Sequence, residues 1–209
     1  MKELEPRIFV VDDDPSVRTS LANLLAAEDH AVEIFASAAE YLARVPHPGL
    51  ACLALDVQLP DLDGLALQRQ LVEEGRMEQI VFITGHGDLP MGIGAMKRGA
   101  VDFLSKPFRD DELLAAVAQA LARSADYCRQ RVEVVESRAR LAKLTPREFE
   151  VLRLVIAGRL NKEIGAELGV TLRTIKTHRA RVMQKIAVIS VAELVRLAQK
   201  AGVAPAERV

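Results

Sequence analysis

Leu53-Ala54-Leu55-Asp56-Val57-Gln58-Leu59-Pro60-Asp61-Leu62-Asp63-Gly64 is the stretch from which the rest of the chain can be read. The apolar run from Leu50 to Leu55 predicts a buried strand, bounded by Gly49 before it and by Pro60 and Gly64 after it. This strand delivers one carboxylate, Asp56, to its C-terminal end, the edge at which open α/β sheets place ligands. An isolated Asp there usually caps a helix or forms a turn. Its meaning therefore depends on what the other strand ends supply.

Upstream, Ile8 to Val11 predicts a short apolar strand that stops at Asp12-Asp13-Asp14, and Asp14-Pro15 is an N-cap and N1 pair. The helix that follows shows Val17, Leu21, Leu24 and Leu25 at helical spacing. Ala31 to Phe35 reads as a second strand, and Ser37-Ala38-Ala39-Glu40 as a capping box. Downstream of Asp56, a helix passes through Leu65, Leu67 and Leu71, and Ile80 to Ile83 is a strand stopped by Thr84-Gly85-His86-Gly87. A helix from about Pro90 to Arg98 ends at Gly99. Val101 to Leu104 is a fifth strand, followed by Ser105-Lys106-Pro107 and a helix from about Asp110. Five strands alternating with five helices predict a doubly wound parallel sheet covered on both faces. In that fold Asp12, Asp13, Asp56, Thr84 and Lys106 share one edge.

Those residue types suit phosphoryl chemistry. Three carboxylates repel one another unless a hard divalent cation sits among them, and Mg²⁺ takes a few carboxylates plus water and phosphate oxygens. Asp56 can attack a phosphoryl group in line. The ammonium of Lys106 would neutralise charge on the transferred oxygens. His86 lies in Gly85-His86-Gly87-Asp88 with no second histidine nearby, and reads as a surface loop histidine.

Composition is that of an ordinary globular protein, with 50% of the 209 residues hydrophobic and 27% charged. No apolar stretch reaches the roughly 18 residues of a membrane helix, and the N-terminus lacks a signal peptide's apolar segment. Cys52 and Cys128 make neither a disulfide framework nor a thiolate site, which fits the cytoplasm. The net charge of −1 hides a split. Residues 1–123 hold 11 Lys/Arg against 20 Asp/Glu, whereas residues 140–200 hold 13 against 5. Such asymmetry suggests two domains, the basic one facing a polyanion.

Between them, Asp110 to about Leu141 contains neither Pro nor Gly, and its apolar positions fit one amphipathic helix; the part from Arg123 is rich in both charge signs. A long helical linker at 124–140 is expected. The heptads are too few and irregular for a coiled coil to be assigned. The basic part then opens on Thr145-Pro146-Arg147-Glu148, a capping box with Pro at N1. A helix runs to about Ala157, and a short one follows from Lys162 to Leu168 before Gly169. Leu172 to about Lys185 forms the next helix, with Arg173, Lys176, His178, Arg179, Arg181 and Lys185. Ser190 caps a last helix ending near Gly202. Helix, glycine turn and basic helix are the pattern of a helix-turn-helix.

The first part resembles the receiver domain of two-component response regulators, through Val10-Val11-Asp12-Asp13, Asp56-x-x-x-Pro60-Asp61-x-x-Gly64, Thr84 and Lys106-Pro107. The second resembles the LuxR/NarL/FixJ-type four-helix DNA-binding domain, through Leu144-Thr145-Pro146-Arg147-Glu148, Asn161-Lys162-Glu163-Ile164 and Thr174-Ile175-Lys176-Thr177-His178. Gly85 to Met91 and Ala95-Met96-Lys97 resemble the FixJ/StyR-like branch. The resemblance implies a flavodoxin-like receiver over 1–123, the linker over 124–140 and the DNA-binding domain over 141–209. It implies Asp56 as phosphoacceptor, with Asp13, Asp56 and the backbone carbonyl of Gln58 holding Mg²⁺ and Asp12 acting through water. It makes Thr84 and Phe103 the switch, and gives Lys106-Pro107 a cis bond. Lys176 and Thr177 match base-facing positions, while Ala180 stands where some members carry a basic residue. Arg173, Thr174, His178, Arg179 and Lys185 match phosphate contacts. Implied partners are a sensor histidine kinase, promoter DNA, a second copy upon phosphorylation and RNA polymerase. Two rivals stand beside this reading: a constitutive DNA-binding protein whose receiver only dimerises, and an aspartyl-phosphate phosphatase.

Overall fold

A computed structural model describes residues 5–76, 78–85 and 89–207, so His86 lies outside the described residues. Five strands alternate with helices in chain order: β1 Arg7–Val11, α1 Pro15–Ala27, β2 Ala31–Phe35, α2 Ala38–Ala43, β3 Ala51–Asp56, α3 Gly64–Glu73, β4 Gln79–Thr84, α4 Leu89–Lys97, β5 Asp102–Ser105 and α5 Asp110–Leu141. All pairings are parallel and the strand order is β2-β1-β3-β4-β5, the flavodoxin-like order. The expected doubly wound sheet is thus what forms.

Alternation along the strands assigns each face. Phe9, Val11, Leu53, Leu55 and Phe82 point to one side and pack with Tyr41, Leu67, Leu71 and Ala95 from α2, α3 and α4. Ile8, Val10, Cys52, Ala54, Val81 and Ile83 point to the other and pack with Leu21 and Leu25 of α1 and Leu113, Val117 and Ala120 of α5. β3 is buried along its whole length, as a central strand covered on both faces must be. β2 has the expected limits, and the other strands differ from theirs by one residue at one or both ends. The backbone pairing that sets them continues past the apolar run, to Asp56 and to Ser105.

Local chemistry starts the helices where expected. The Asp14 carboxylate accepts from the N–H groups of Ser16 and Val17 ahead of Pro15. Ser37 caps α2, but Glu40 reaches back to the N–H of Ala36 rather than to that of Ser37.

The chain divides into two compact units, residues 1–128 and 129–209. The second contains α6 Pro146–Ile156, α7 Asn161–Leu168, α8 Leu172–Ile186 and α9 Val191–Lys200, around Val151, Leu152, Ile164, Ile175, Val182, Leu194 and Leu197. The stretch read as linker is used at both ends. Ser124 is buried and its hydroxyl accepts from the N–H of Ala51 at 3.0 Å. Glu133 pairs with Lys200 at 2.6 Å, Arg138 Nε donates to the carbonyl of Ala201, and Leu141 joins the second core.

Candidate phosphoacceptor site and nucleic-acid interface

The sheet register brings four strand ends together. Val11 is level with Leu55, Leu55 with Phe82, and Thr84 with Ser105, so the residues after these positions form one rim. Asp12 is 2% exposed and Asp56 7%, while Asp13 is exposed. One carboxylate oxygen from each lies within 4.8 Å of the others. Carboxylates this close, partly out of water, need a cation.

Lys106 supplies a positive charge. Its Nζ donates to Asp12 Oδ2 at 2.6 Å and to Asp56 Oδ2 at 2.8 Å. Burial works against the ammonium, yet the hydrogen bonds and charges of Asp12 and Asp56 outweigh it and raise the Lys106 pKa. For Asp12 burial prevails, and its carboxyl is raised above the ordinary value despite the bonds from Lys106 and the N–H of Asp14. The remaining oxygen of each buried carboxylate is fixed by backbone: Asp12 Oδ1 by the N–H of Asp14 at 2.9 Å, Asp56 Oδ1 by the N–H of Gln58 at 3.0 Å. The donor set, three carboxylates with an adjoining backbone carbonyl, fits a hard divalent cation. The structure therefore contains an acidic pocket compatible with such an ion.

Thr84 is fully buried at the end of β4, and its carbonyl accepts from the N–H of Lys106 at 2.7 Å. The Lys106-Pro107 bond is cis. Phe103 is half-buried, its ring 6.2 Å from that of Phe82. It lies against α4 at Gly92, where a methyl group would meet the ring at 3.4 Å. The glycine inside α4 thus has a packing partner that the sequence did not indicate.

The loop after Asp56 is braced by residues whose roles were not assigned from sequence. Asp61 accepts from the N–H groups of Ala38 and Ala39 at the start of α2. Although desolvation opposes this, those bonds hold the Asp61 carboxyl below its ordinary pKa. Asp63 caps α3. Gly64 donates to the carbonyl of Val57 at 2.9 Å. Its Cα faces the carbonyl of Asp56 so closely that a Cβ would stand 2.3 Å from that oxygen.

In the second unit, Thr145 and Glu148 form the expected reciprocal cap. Gly165 allows α7 to approach the carbonyl of Val170, which a Cβ would meet at 2.9 Å. Gly169 adopts the left-handed conformation that ends α7 (φ 65°); glycine adopts it without the Cβ clash. On α8, Arg173, Lys176, Thr177, Ala180 and Arg181 are exposed, and Thr174, His178 and Arg179 are half-buried. Three of these candidate DNA contacts and Lys185 have partners inside the unit, Thr177 through its hydroxyl, which donates to the Arg173 carbonyl at 3.1 Å. Arg179 donates to Asn161 Oδ1 at 2.7 Å, tying α8 to α7. The Thr174 hydroxyl lies 2.9 Å from that of Thr171. Lys185 Nζ donates to Glu148 Oε2 at 2.6 Å.

That last pair has a measurable consequence. Glu148 is 3% exposed, and its hydrogen bond from Lys185, helped by the N–H of Thr145, lowers its pKa to about 2. A lowered folded pKa gives stability that is present above the ordinary value and lost as pH falls through the folded one. Glu148→Gln should destabilise the second unit by about 1–3 kcal/mol at pH 7. The gap from wild type should narrow as pH falls below about 4.5. Urea unfolding at pH 7 and pH 3.5 reads both effects; equal stabilities at pH 7 would refute the assignment.

A doubly wound sheet with this acidic rim, joined to a four-helix unit with a helix-turn-helix, defines a class: response regulators that act on DNA. Comparison with known families agrees. Residues 8–118 match the response regulator receiver domain and residues 142–198 match the bacterial regulatory proteins of the luxR family. The chain belongs to the response regulators with a luxR-type DNA-binding domain, which are transcription regulators. It is 40% identical to the response regulator protein TmoT of Ectopseudomonas mendocina over 96% of this chain and 91% of that one. It is 43% identical to the transcriptional regulatory protein FixJ of Azorhizobium caulinodans over 96% and 95%. Among solved structures, the response regulator StyR superposes with a TM-score of 0.80 at 43% identity, covering 94% of this chain and all of that one. The FixJ/StyR-like branch expected from the sequence is the one found. Among the described residues, no helix is long and apolar enough to cross a membrane.

Proposed function

We propose that this regulator is switched by phosphorylation of Asp56 by a sensor histidine kinase, and that phosphorylation promotes homodimerisation and binding to paired half-sites in promoter DNA. The supporting observation is the trio Asp12, Asp13 and Asp56 within 4.8 Å, with Lys106 on two of its members. An Asp56 oxygen attacks phosphorus in line, the bond from phosphorus to the kinase imidazole breaks, and its electron pair returns to the ring nitrogen. Asp13, Asp56 and the Gln58 carbonyl would hold Mg²⁺, with Asp12 acting through water, and the ion would supply charge neutralisation. Once the new phosphoryl oxygens draw on Lys106, its hold on Asp12 and Asp56 relaxes. Thr84 follows toward a phosphoryl oxygen and Phe103 turns behind it. The receiver performs no other chemistry than its own phosphoryl transfer and slow self-hydrolysis. The protein acts in the cytoplasm, where RNA polymerase is its final partner.

On DNA, the exposed Lys176 and Thr177 face bases, and Ala180 offers no polar contact there. Arg173, Thr174, His178, Arg179 and Arg181 face phosphates, which position the helix without reading sequence. Lys185 also lies on the DNA-facing helix; to reach a phosphate it would have to leave Glu148.

The test uses duplexes selected from a random pool by the full chain with Mg²⁺ and beryllofluoride, a mimic of the aspartyl phosphate. Removing beryllofluoride should weaken binding at least about tenfold, as coupling energies of this kind do. Lys176→Ala should lose about 1–3 kcal/mol on selected sites and less on random DNA. Affinities indifferent to beryllofluoride would exclude the switch. Equal losses on both DNA types would exclude base reading by Lys176.

A further inference from the structure

Helix α8 turns a largely aliphatic strip toward solvent. Its buried residues are Ile175, Val182 and Ile186. Away from them, Leu172, Lys176 and Ala180 follow at intervals of four, and Arg173 and Thr177 make the next row round the helix. Residues four apart are neighbours on a helix surface. All five are exposed, Leu172 at 49%. Of the two proposed base-facing residues, Lys176 therefore stands between two aliphatic side chains, Leu172 and Ala180. Arg173 is the phosphate contact of the other row.

Thr177, the other base-facing residue, adds to the aliphatic strip rather than to the donors. Its hydroxyl donates to the Arg173 carbonyl at 3.1 Å, the bond to residue i−4 that threonine makes inside helices. A hydroxyl has one proton. This one therefore has none left for the major-groove acceptors, N7 of the purines, O6 of guanine and O4 of thymine. What it keeps is a γ-methyl and its lone pairs. Lys176 has three donors and no acceptor, a match for N7 and O6 of guanine. The apolar feature that the major groove displays is the C5-methyl of thymine. An aliphatic strip around a single ammonium is complementary to thymines around a guanine.

We infer that α8 reads its half-site through thymine methyl groups, met by Thr177 and Ala180 with Leu172 beside them, around one guanine held by Lys176. The inference rests on the proposed docking of α8 on bases and adds which bases it selects. Burying one methyl group changes an affinity roughly fourfold. Each contact is therefore small enough to be removed singly without abolishing binding, and large enough to be measured.

The experiment uses the full chain with Mg²⁺, beryllofluoride and duplexes selected from a random pool. Deoxyuridine replaces each thymine of the half-site in turn, which removes the 5-methyl and leaves every hydrogen-bonding group in place. At two or more positions this should weaken binding roughly three- to fivefold. Thr177→Ser keeps the hydroxyl and removes the methyl. It should weaken binding by a similar factor and abolish the response at one of those positions, because both changes remove the same contact. Thr177→Val keeps the methyl and should keep that response. Affinities indifferent to deoxyuridine, a set of responses that survives Thr177→Ser whole, or a Thr177→Val chain that behaves like Thr177→Ser would each overturn the methyl reading and leave DNA binding standing. A pool that yields no common sequence overturns the proposed base reading with it.

Discussion

The Asp56→Asn chain should take up no phosphoryl group from acetyl phosphate or a phosphorylated kinase, a loss of at least about a thousandfold, near 4 kcal/mol of transition-state stabilisation. An amide has no nucleophilic oxygen anion, and no neighbouring carboxylate is placed to substitute. Asp12 is 2% exposed, with one oxygen held by Lys106 and the other by the N–H of Asp14. Asp13 is exposed and lies beyond the end of β1, outside the strand pairing that positions Asp56. The fold should survive, because the Asn oxygen can still accept from Lys106 or from the Gln58 N–H and the side chain keeps its volume. Intact mass after incubation with the phosphodonor is the measurement. A variant that still gains one phosphoryl group at the wild-type rate would place the acceptor elsewhere and remove the basis of the proposed switch.

Gly64→Ala should be the most damaging small substitution in the receiver. The new methyl group would stand 2.3 Å from the Asp56 carbonyl oxygen and 3.0 Å from Val57 Cα. Both are backbone atoms of the segment that positions Asp56, so no side chain can swing aside. The loop must move or α3 must retreat from β3, at a cost of about 3 kcal/mol or more. For a domain of this size that is roughly a 10 °C fall in the receiver's melting temperature, with phosphorylation impaired as well. Gly75→Ala is the control. Gly75, unlike Gly64, adopts a positive φ of 65°, but nothing lies within 4 Å of its added methyl, so only the conformational cost of about 1 kcal/mol applies. If the two variants melted together, the close approach at Asp56 would not matter.

The fold was largely legible because its signals are local. An apolar run ending in a carboxylate, Asp14 before Pro15, and Thr145 three residues before Glu148 each state a strand end or helix start in a few adjacent residues. The acidic rim was legible because a doubly wound sheet sends all strand ends to one edge. What escaped needs two distant segments at once. Lys185 read as a phosphate contact because it is a cation on a basic helix, and only the folded chain brings Glu148, 37 positions earlier, beneath it. Gln68 carried no signal of its place. It is buried, with its amide on the Ala95 carbonyl and its oxygen accepting from Arg98, so that it anchors the end of α4. Arg44 gave no sign that it would pair with Glu78 and stack over the rings of Phe9 and Tyr41. The apolar positions of α5 fit one helix, but sequence alone does not separate Leu113 and Val117, which are buried, from Val132 and Val135, which are exposed.

Cys52 sits in the middle of β3 with no exposed surface, and burial pushes its thiol up to about 12. At neutral pH an alkylating reagent therefore meets neither a thiolate nor an accessible sulfur until the central strand parts from its neighbours. Residues 129–209 contain no cysteine. In a Cys128→Ser chain the rate of alkylation is consequently a clock for one event, the opening of the sheet. Melting of the helix-turn-helix unit leaves that clock silent. The energetic coupling between input and output could then be timed in the intact chain, with no dye and no dissection of the domains.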